Sequence, residues 1–200
     1  MFSFGAMMSP RTWSKRGIQP EESHMARLTD DATSISFNHR AAYATLTSST
    51  LPIASTGVSG GKDSLSYPRP FGVVLKLTDE DFAKVAQREV GYRVTRVTVE
   101  ILDDVPSKQL TVDAFTSAMG MELRNGPLPP TVRYQELLLE GLVHHGIHRF
   151  DGGDEYIDWV RSLPTVDVAS DPAYGNTFVQ LTTQVALTCI GLALSFAIFH

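Results

Sequence analysis

The stretch YRVTRVTVEI, from Tyr92 to Ile101, carries the clearest fold signal in the chain. Apolar side chains at positions 97, 99 and 101 alternate with polar ones at positions 98 and 100. Because successive side chains of a β-strand point to opposite faces of a sheet, this alternation predicts a strand with one buried face. A second strand is predicted at Leu110 to Phe115.

Shorter strands and several helices surround this stretch. Strands are predicted from Phe2 up to the turn at Gly5, in parts of 34–46, and at 71–77. Helices are predicted behind Ser9 and Pro10, behind Thr78, behind the two prolines at 129–130, and at 154–163, since capping residues, prolines and apolar spacing mark helix starts and inner faces. The pattern indicates an α+β domain: a small, mostly antiparallel, partly closed β-barrel with inserted and appended helices.

Composition narrows the function classes. The chain has 200 residues, a formal net charge of −5 and a single cysteine, Cys189. The acidic balance argues against a nucleic-acid partner, because such proteins present a basic face. One cysteine rules out an intramolecular disulfide and a cysteine-rich zinc site, which fits a reducing compartment.

Two segments depart from the globular pattern. Residues 47–66 are rich in Ser, Thr, Gly and Pro and predict a flexible surface loop. After a linker at 165–180, residues 181–199 are uncharged and hydrophobic over about one bilayer-spanning length, which predicts a C-terminal transmembrane helix that anchors the protein. A domain at 1–164 would then lie on the cytoplasmic side of a membrane. The alternative is a buried C-terminal helix in a soluble cytoplasmic protein.

Several sequence blocks, taken in chain order, resemble those of one family, the γ-glutamylcyclotransferases. FSFGAMMSP (2–10) resembles that family's (F/Y)-x-Y-G-S-N-M-x-P, RGI (16–18) its R-G-I, and FNHRAAYA (37–44) its F-N-H-R-G-G-[FY]-A. REVGYR (88–93) resembles the E-x-G-Y-R block that contains the family's catalytic glutamate. Further matching blocks are FGVV (71–74), the helix at 130–142 and EYIDW (155–159), so the resemblance covers residues 1 to about 164.

The resemblance implies a β-barrel-like α+β fold and an enzyme. Such an enzyme cyclises a γ-glutamyl amino acid or amine to 5-oxoproline and releases the amine, with no cofactor and no metal. The partner is then a small γ-glutamyl molecule. Free glutathione, γ-glutamyl amino acids and γ-glutamyl amines are all possible substrates. A homodimer is also possible. Carried over motif by motif, Glu89 is the catalytic residue, and the substrate-binding residues are Phe4, Gly5, Ala6, Met7, Tyr92 and Tyr134.

Glu89 suits the chemistry of this reaction. The substrate's α-amine attacks its own γ-carbonyl, so a carboxylate beside the amine can take up a proton and return it to the departing nitrogen. Without the surrounding motif, Glu89 would be interpreted as a solvent-facing residue at a helix end. Tyr92 and Tyr134 have a similar alternative, as partly buried core aromatics.

The glycine loop departs from the family pattern, since Tyr-Gly-Ser-Asn is replaced by Phe4-Gly5-Ala6-Met7. Gly5 can take a positive φ, which lets successive N–H groups converge on an anion. Backbone donors survive these changes, whereas a phenol, a hydroxyl and an amide are lost. The alternative function is therefore a non-catalytic relative that serves as a ligand-binding or membrane-tethered interaction module.

Three other motifs favour structural roles. The histidines at 144, 145 and 148 are interrupted by Gly146 and lack an acidic partner at a standard metal-ligand spacing, which favours a helix end. DGGDE at 151–155 lacks the later glutamate of a calcium loop and predicts a turn before a helix. NHR at 38–40 is expected to set strand and loop geometry.

Overall fold

The computed structural model of the chain describes residues 1–48, 66–123 and 126–167. One compact unit spans Met1–Thr165 and contains the strands and helices named below. The predicted anchor at 181–199, and nearly all of the predicted linker and of the loop at 47–66, lie outside the described residues. Within the described ranges, no helix is long and apolar enough to cross a membrane. The anchor and the homodimer stay predictions.

The described residues contain eight strands and four α-helices. The strands are β1 (Phe2–Ser3), β2 (Glu22–Leu28), β3 (Thr33–His39), β4 (Tyr43–Ser48), β5 (Ser66–Pro68), β6 (Phe71–Lys76), β7 (Tyr92–Ile101) and β8 (Lys108–Ser117). The helices are α1 (Pro10–Arg16), α2 (Asp79–Arg88), α3 (Val132–His144) and α4 (Gly153–Ser162). The α+β class is confirmed.

Five of the strands form a closed barrel in the order β1-β6-β2-β7-β8. All neighbours are antiparallel except β1 and β8, which pair in parallel with Phe2 opposite Ala114. The two-residue strand β1 therefore closes a barrel that the sequence predicts to be only partly closed. No local pattern indicates this closure, because Phe2 and Ala114 are far apart in the sequence.

The remaining strands form a second antiparallel sheet in the order β4-β3-β5. The strand predicted in parts of 34–46 is in fact two strands, whose register shifts between Ser36 and His39. A short 3₁₀ turn separates them, with Ala41 and Ala42 at φ values of 61° and 55°. This turn re-aims the chain so that Tyr43 and Ala44 enter β4 next to the site described below.

The helices begin and end where the sequence predicts. Pro10 occupies the first turn of α1, and Gly17 ends that helix in the left-handed conformation at φ 64°. The hydroxyl of Thr78 accepts the Asp81 N–H at 3.1 Å at the start of α2, and the hydroxyl of Thr131 caps α3 in the same way. These local signals are strong because each depends on residues within one helical turn.

The core lies inside the barrel and between the barrel and α3 and α4. Its largest fully buried side chains include Phe2, Phe37, Phe71 and Tyr156. The sequence analysis missed β2, although Met25, Ala26 and Leu28 on this strand are buried. Since β2 has no β-branched residue and begins with polar ones, its strand signal is weak.

Candidate functional site

Glu89 lies at the junction between α2 and β7. It is the C-terminal cap of α2, with its N–H donating to the Val85 and Ala86 carbonyls, and its own carbonyl accepts the Tyr92 N–H at 3.1 Å. Gly91 follows at φ 88°, a conformation that L side chains rarely adopt. This tight turn brings the Glu89 side chain back towards the inside of the molecule, where only 15% of it is exposed.

The Glu89 carboxylate is paired with Arg16, the last residue of α1. The Arg16 Nη1 to Glu89 Oε1 distance is 2.5 Å, and the arginine side chain is 19% exposed. Arg16 belongs to the RGI block, yet the sequence analysis did not place it in the site. The two residues are 73 positions apart, so only the packing of α1 against the end of α2 brings them together.

Tyr92 and Tyr134 meet through the backbone of a single residue, Ala44. The Tyr92 hydroxyl donates to the Ala44 carbonyl at 3.1 Å, and the Ala44 N–H donates to the Tyr134 hydroxyl oxygen at 3.2 Å. The two predicted tyrosines therefore lie in one site, where the backbone of Ala44 in β4 joins them. Their rings are not simple core fillers, since each hydroxyl is held in a defined position.

Burial keeps both tyrosines protonated. Burial raises the pKa of Tyr92 well above its ordinary value, and the neighbouring Tyr134 and Glu89 raise it further. Burial likewise raises the pKa of Tyr134, with Glu89 acting in the same direction and the backbone N–H groups of Ala44 and Ala6 opposing it. Both phenols can therefore donate a hydrogen bond at neutral pH, and both sense the charge of Glu89.

Gly5 faces the Tyr134 hydroxyl. Its backbone is extended, at φ −123° and ψ −153°, so Gly5 does not adopt the positive φ that glycine allows. The requirement for glycine is steric instead, because a Cβ at this position would lie 2.7 Å from the Tyr134 hydroxyl oxygen. Within the described part of the chain, the N–H groups of Gly5 and Met7 have no acceptor.

The side chains of Phe4 and Met7 point into the hydrophobic core, where they are 5% and 7% exposed. Phe4 packs against the Phe2 ring, and the Met7 carbonyl accepts the Trp13 indole N–H at 2.6 Å. Ala6 is half-buried at the start of the 3₁₀ turn that follows Gly5. Of the predicted loop residues, Gly5 and Ala6 thus border Tyr134 directly, and Phe4 and Met7 can reach a ligand only through their backbone.

His39 supports the site from behind. Its ring stacks on the Tyr92 ring with a centroid distance of 3.9 Å, and its Nδ1 lies 2.8 Å from the Ser117 hydroxyl oxygen. Burial, with a smaller contribution from Arg40, lowers the pKa of His39 to about 4. The NHR block therefore has the expected structural role: a neutral imidazole fixes the position of Tyr92.

Other candidate ligand positions lie apart from Glu89. A surface cleft of about 460 Å³ lies between the β3–β4 sheet and the β7–β8 pair, and none of the predicted site residues lines it. The ring of His145 packs on Trp13, and its Nε2 lies 3.2 Å from the Met8 carbonyl oxygen. Over the described ranges, no group of three or more His, Cys, Asp or Glu side chains could hold a metal ion.

Comparison with solved structures identifies the fold. YkqA from Bacillus subtilis superposes with a TM-score of 0.58 at 16% identity, over 82% of this chain and 55% of that one. The chain has a γ-glutamylcyclotransferase-like fold. It spans little more than half the length of YkqA.

A second structure with the γ-glutamylcyclotransferase name is more distant. It is a γ-glutamyl cyclotransferase specific to glutathione, from yeast, with a TM-score of 0.45 and 12% identity over 80% of this chain and 94% of that one. Searches of protein-family models and of curated proteins find no match. The fold is therefore established by structure, and the reaction must be argued from the site.

Proposed function

We propose that this protein cyclises a γ-glutamyl amino acid or amine to 5-oxoproline and releases the amine, with Glu89 as general acid and base. The observation that carries the proposal is the convergence of three groups in one γ-glutamylcyclotransferase-like domain. These are a largely buried carboxylate at Glu89, the buried phenol of Tyr134, and the Gly5 backbone facing that phenol. The sequence alone associates these residues only by resemblance.

The reaction needs proton transfer in both directions. Glu89 accepts a proton from the substrate's α-ammonium group, and the freed amine attacks the γ-carbonyl carbon to form a tetrahedral oxyanion. As the bond to the departing nitrogen breaks, Glu89 returns the proton to that nitrogen. The attacking nitrogen loses two protons in all and the departing one gains two, so the amine leaves as an ammonium ion with no net proton released. One positioned carboxylate contributes about 10²–10⁴-fold to such a step.

The oxyanion needs hydrogen-bond donors. The Tyr134 oxygen already accepts from the Ala44 N–H, so the group it can offer to a ligand is its own O–H. The Gly5 and Met7 N–H groups have no acceptor among the described residues and provide further donors next to it. Each donor of this kind is worth about 2.7–4 kcal/mol in the transition state. This arrangement uses no side chain from positions 6 and 7, where the family's hydroxyl and amide are absent.

Release of 5-oxoproline from γ-glutamyl-alanine and from a γ-glutamyl amine tests the proposal. Glu89→Gln should lower turnover by about 10²–10⁴-fold, since the amide cannot carry a proton between the two nitrogens. Glu80→Gln is the matched control, because Glu80 lies on the same helix with its side chain 80% exposed. Turnover that survives in Glu89→Gln, or that falls equally in Glu80→Gln, would exclude the assigned role.

A second candidate function is a non-catalytic ligand-binding or interaction module. The observation that favours it is the changed loop, in which the Phe4 and Met7 side chains are buried in the core and cannot contact a ligand. On this hypothesis no γ-glutamyl compound is turned over, even after Ala6→Ser and Met7→Asn together restore the family residues. Calorimetry with 5-oxoproline and with glutamate would then show whether the site still binds them.

A further inference from the structure

Arg16 presents more hydrogen-bond donors than its ion pair uses. A guanidinium group has five N–H donors in a rigid plane. Only Nη1 has a partner, the Glu89 Oε1 atom, among the residues that the structure describes. None of the Arg16 nitrogens is among the fully enclosed atoms that lack a partner, so the unused donors reach solvent-accessible space. A largely buried cation in contact with Glu89 therefore has hydrogen-bond donors that its ion pair does not use.

The Glu89–Arg16 pair is complementary to one half of a γ-glutamyl molecule. In such a molecule the α-carbon carries an ammonium group and a carboxylate side by side. A carboxylate and a guanidinium in direct contact present the opposite charges at a matching separation. The ammonium can then lie against Glu89, while the free Arg16 N–H groups donate hydrogen bonds to the carboxylate. We propose that Arg16 is the specificity-determining residue that binds the substrate's α-carboxylate, an inference that rests on the proposed function.

The changed loop supplies no side-chain donor for the substrate's carboxylate. The side chains at positions 6 and 7 are alanine and methionine, which donate no hydrogen bond, and the Met7 side chain is buried in the core. Arg16 is the cation in direct contact with the Glu89 carboxylate, and its side chain is 19% exposed. A carboxylate entering next to Glu89 therefore needs Arg16 to offset the repulsion between the two anions.

A purely structural role is the competing explanation. Arg16 could do no more than hold α1 against the end of α2. The two roles differ in one measurable respect: a structural role affects every ligand of the site equally, whereas carboxylate recognition affects only ligands that carry a carboxylate.

The test compares 5-oxoproline with 2-pyrrolidinone, which is the same lactam without the carboxylate. Calorimetry on the full chain should give a dissociation constant about 10- to 100-fold lower for 5-oxoproline, the range expected for hydrogen bonds to a charged group. In Arg16→Gln this preference should disappear, and Arg16→Lys should restore part of it. Arg11→Gln is the matched control, because Arg11 lies on the same helix and pairs with Glu140 at 2.7 Å. It should leave the preference unchanged.

Three results would overturn the inference. They are a wild-type protein that binds both lactams equally or neither, an Arg16→Gln variant that keeps the preference, and an equal loss of affinity for both lactams. Urea unfolding of each variant shows whether a loss of lactam binding is caused by unfolding. If Arg16→Gln does not fold, the preference for 5-oxoproline measured in Arg16→Lys decides between the two roles. Turnover of γ-glutamyl-alanine is measured separately. Arg16-dependent binding of 5-oxoproline without turnover would exclude the proposed cyclisation and leave the inference about carboxylate binding intact.

Discussion

Replacing Gly5 by alanine tests the contact that defines the glycine loop. The added Cβ would lie 2.7 Å from the Tyr134 hydroxyl oxygen, whereas ordinary contacts begin at 3.4 Å. The backbone at φ −123° and ψ −153° is open to alanine, so the penalty comes from this clash and not from backbone strain. The hydroxyl cannot simply move away, because it accepts the Ala44 N–H in a buried position. We expect Gly5→Ala to lower the free energy of unfolding by about 1–3 kcal/mol.

A second substitution isolates the cause. Tyr134→Phe removes the hydroxyl oxygen, after which the nearest atom of that ring, Cζ, is 3.9 Å from the added methyl group. Tyr134→Phe alone should cost about 1–3 kcal/mol, since the buried Ala44 N–H loses its acceptor. In that background Gly5→Ala should be neutral, or stabilising by about 0.4–1 kcal/mol through the unfolded state. The expected coupling energy between the two positions is therefore about 1–4 kcal/mol.

Urea unfolding of the wild type, both single variants and the double variant, followed by circular dichroism, measures this coupling. The comparison requires equal slopes of free energy against urea concentration for all four proteins. If Gly5→Ala costs the same with and without the Tyr134 hydroxyl, the steric explanation for Gly5 is refuted. The hydroxyl would then not be the group that Gly5 accommodates in the site.

The other predictions concern stability. His39 has its pKa lowered from 6.5 to about 4, so the unfolded chain binds the proton more tightly and stability is lost as the pH falls through that window. Between pH 7.5 and 4.5 the wild type should lose about 2–3 kcal/mol more than His39→Phe, which keeps a ring against Tyr92. Thr78→Ala removes the acceptor of the Asp81 N–H and should cost about 1 kcal/mol in urea unfolding. Gly72→Ala would place a methyl group against the Ser3 carbonyl oxygen, so it should abolish cooperative thermal unfolding, and a normal transition would contradict the barrel packing.

Much of the fold follows from local sequence. Strand β7 is predicted from alternation and observed at the same residues, Tyr92–Ile101. The starts of α2 and α3 follow from threonine caps and that of α1 from Pro10, and each of these signals needs only one helical turn. The closure of the barrel does not, because the pairing of Phe2 with Ala114 depends on where the whole sheet bends. Strand β2 is also not predicted, because its polar residues mask the sequence signal of its buried residues.

The candidate site, like the fold, could be predicted only in part from the sequence. By itself, the sequence determined that Glu89, Tyr92, Tyr134 and the Gly5 segment belong to blocks of one resembling family. Only the tertiary structure decided which atoms contact one another. The Ala44 backbone bonds to both tyrosine hydroxyls, and Gly5 leaves room for the Tyr134 hydroxyl. Arg16 forms an ion pair with Glu89. The physical reason is the separation in sequence between the residues that interact. Caps and alternation act between neighbours in sequence, whereas an ion pair or a steric contact depends only on where the folded barrel and its helices bring distant residues.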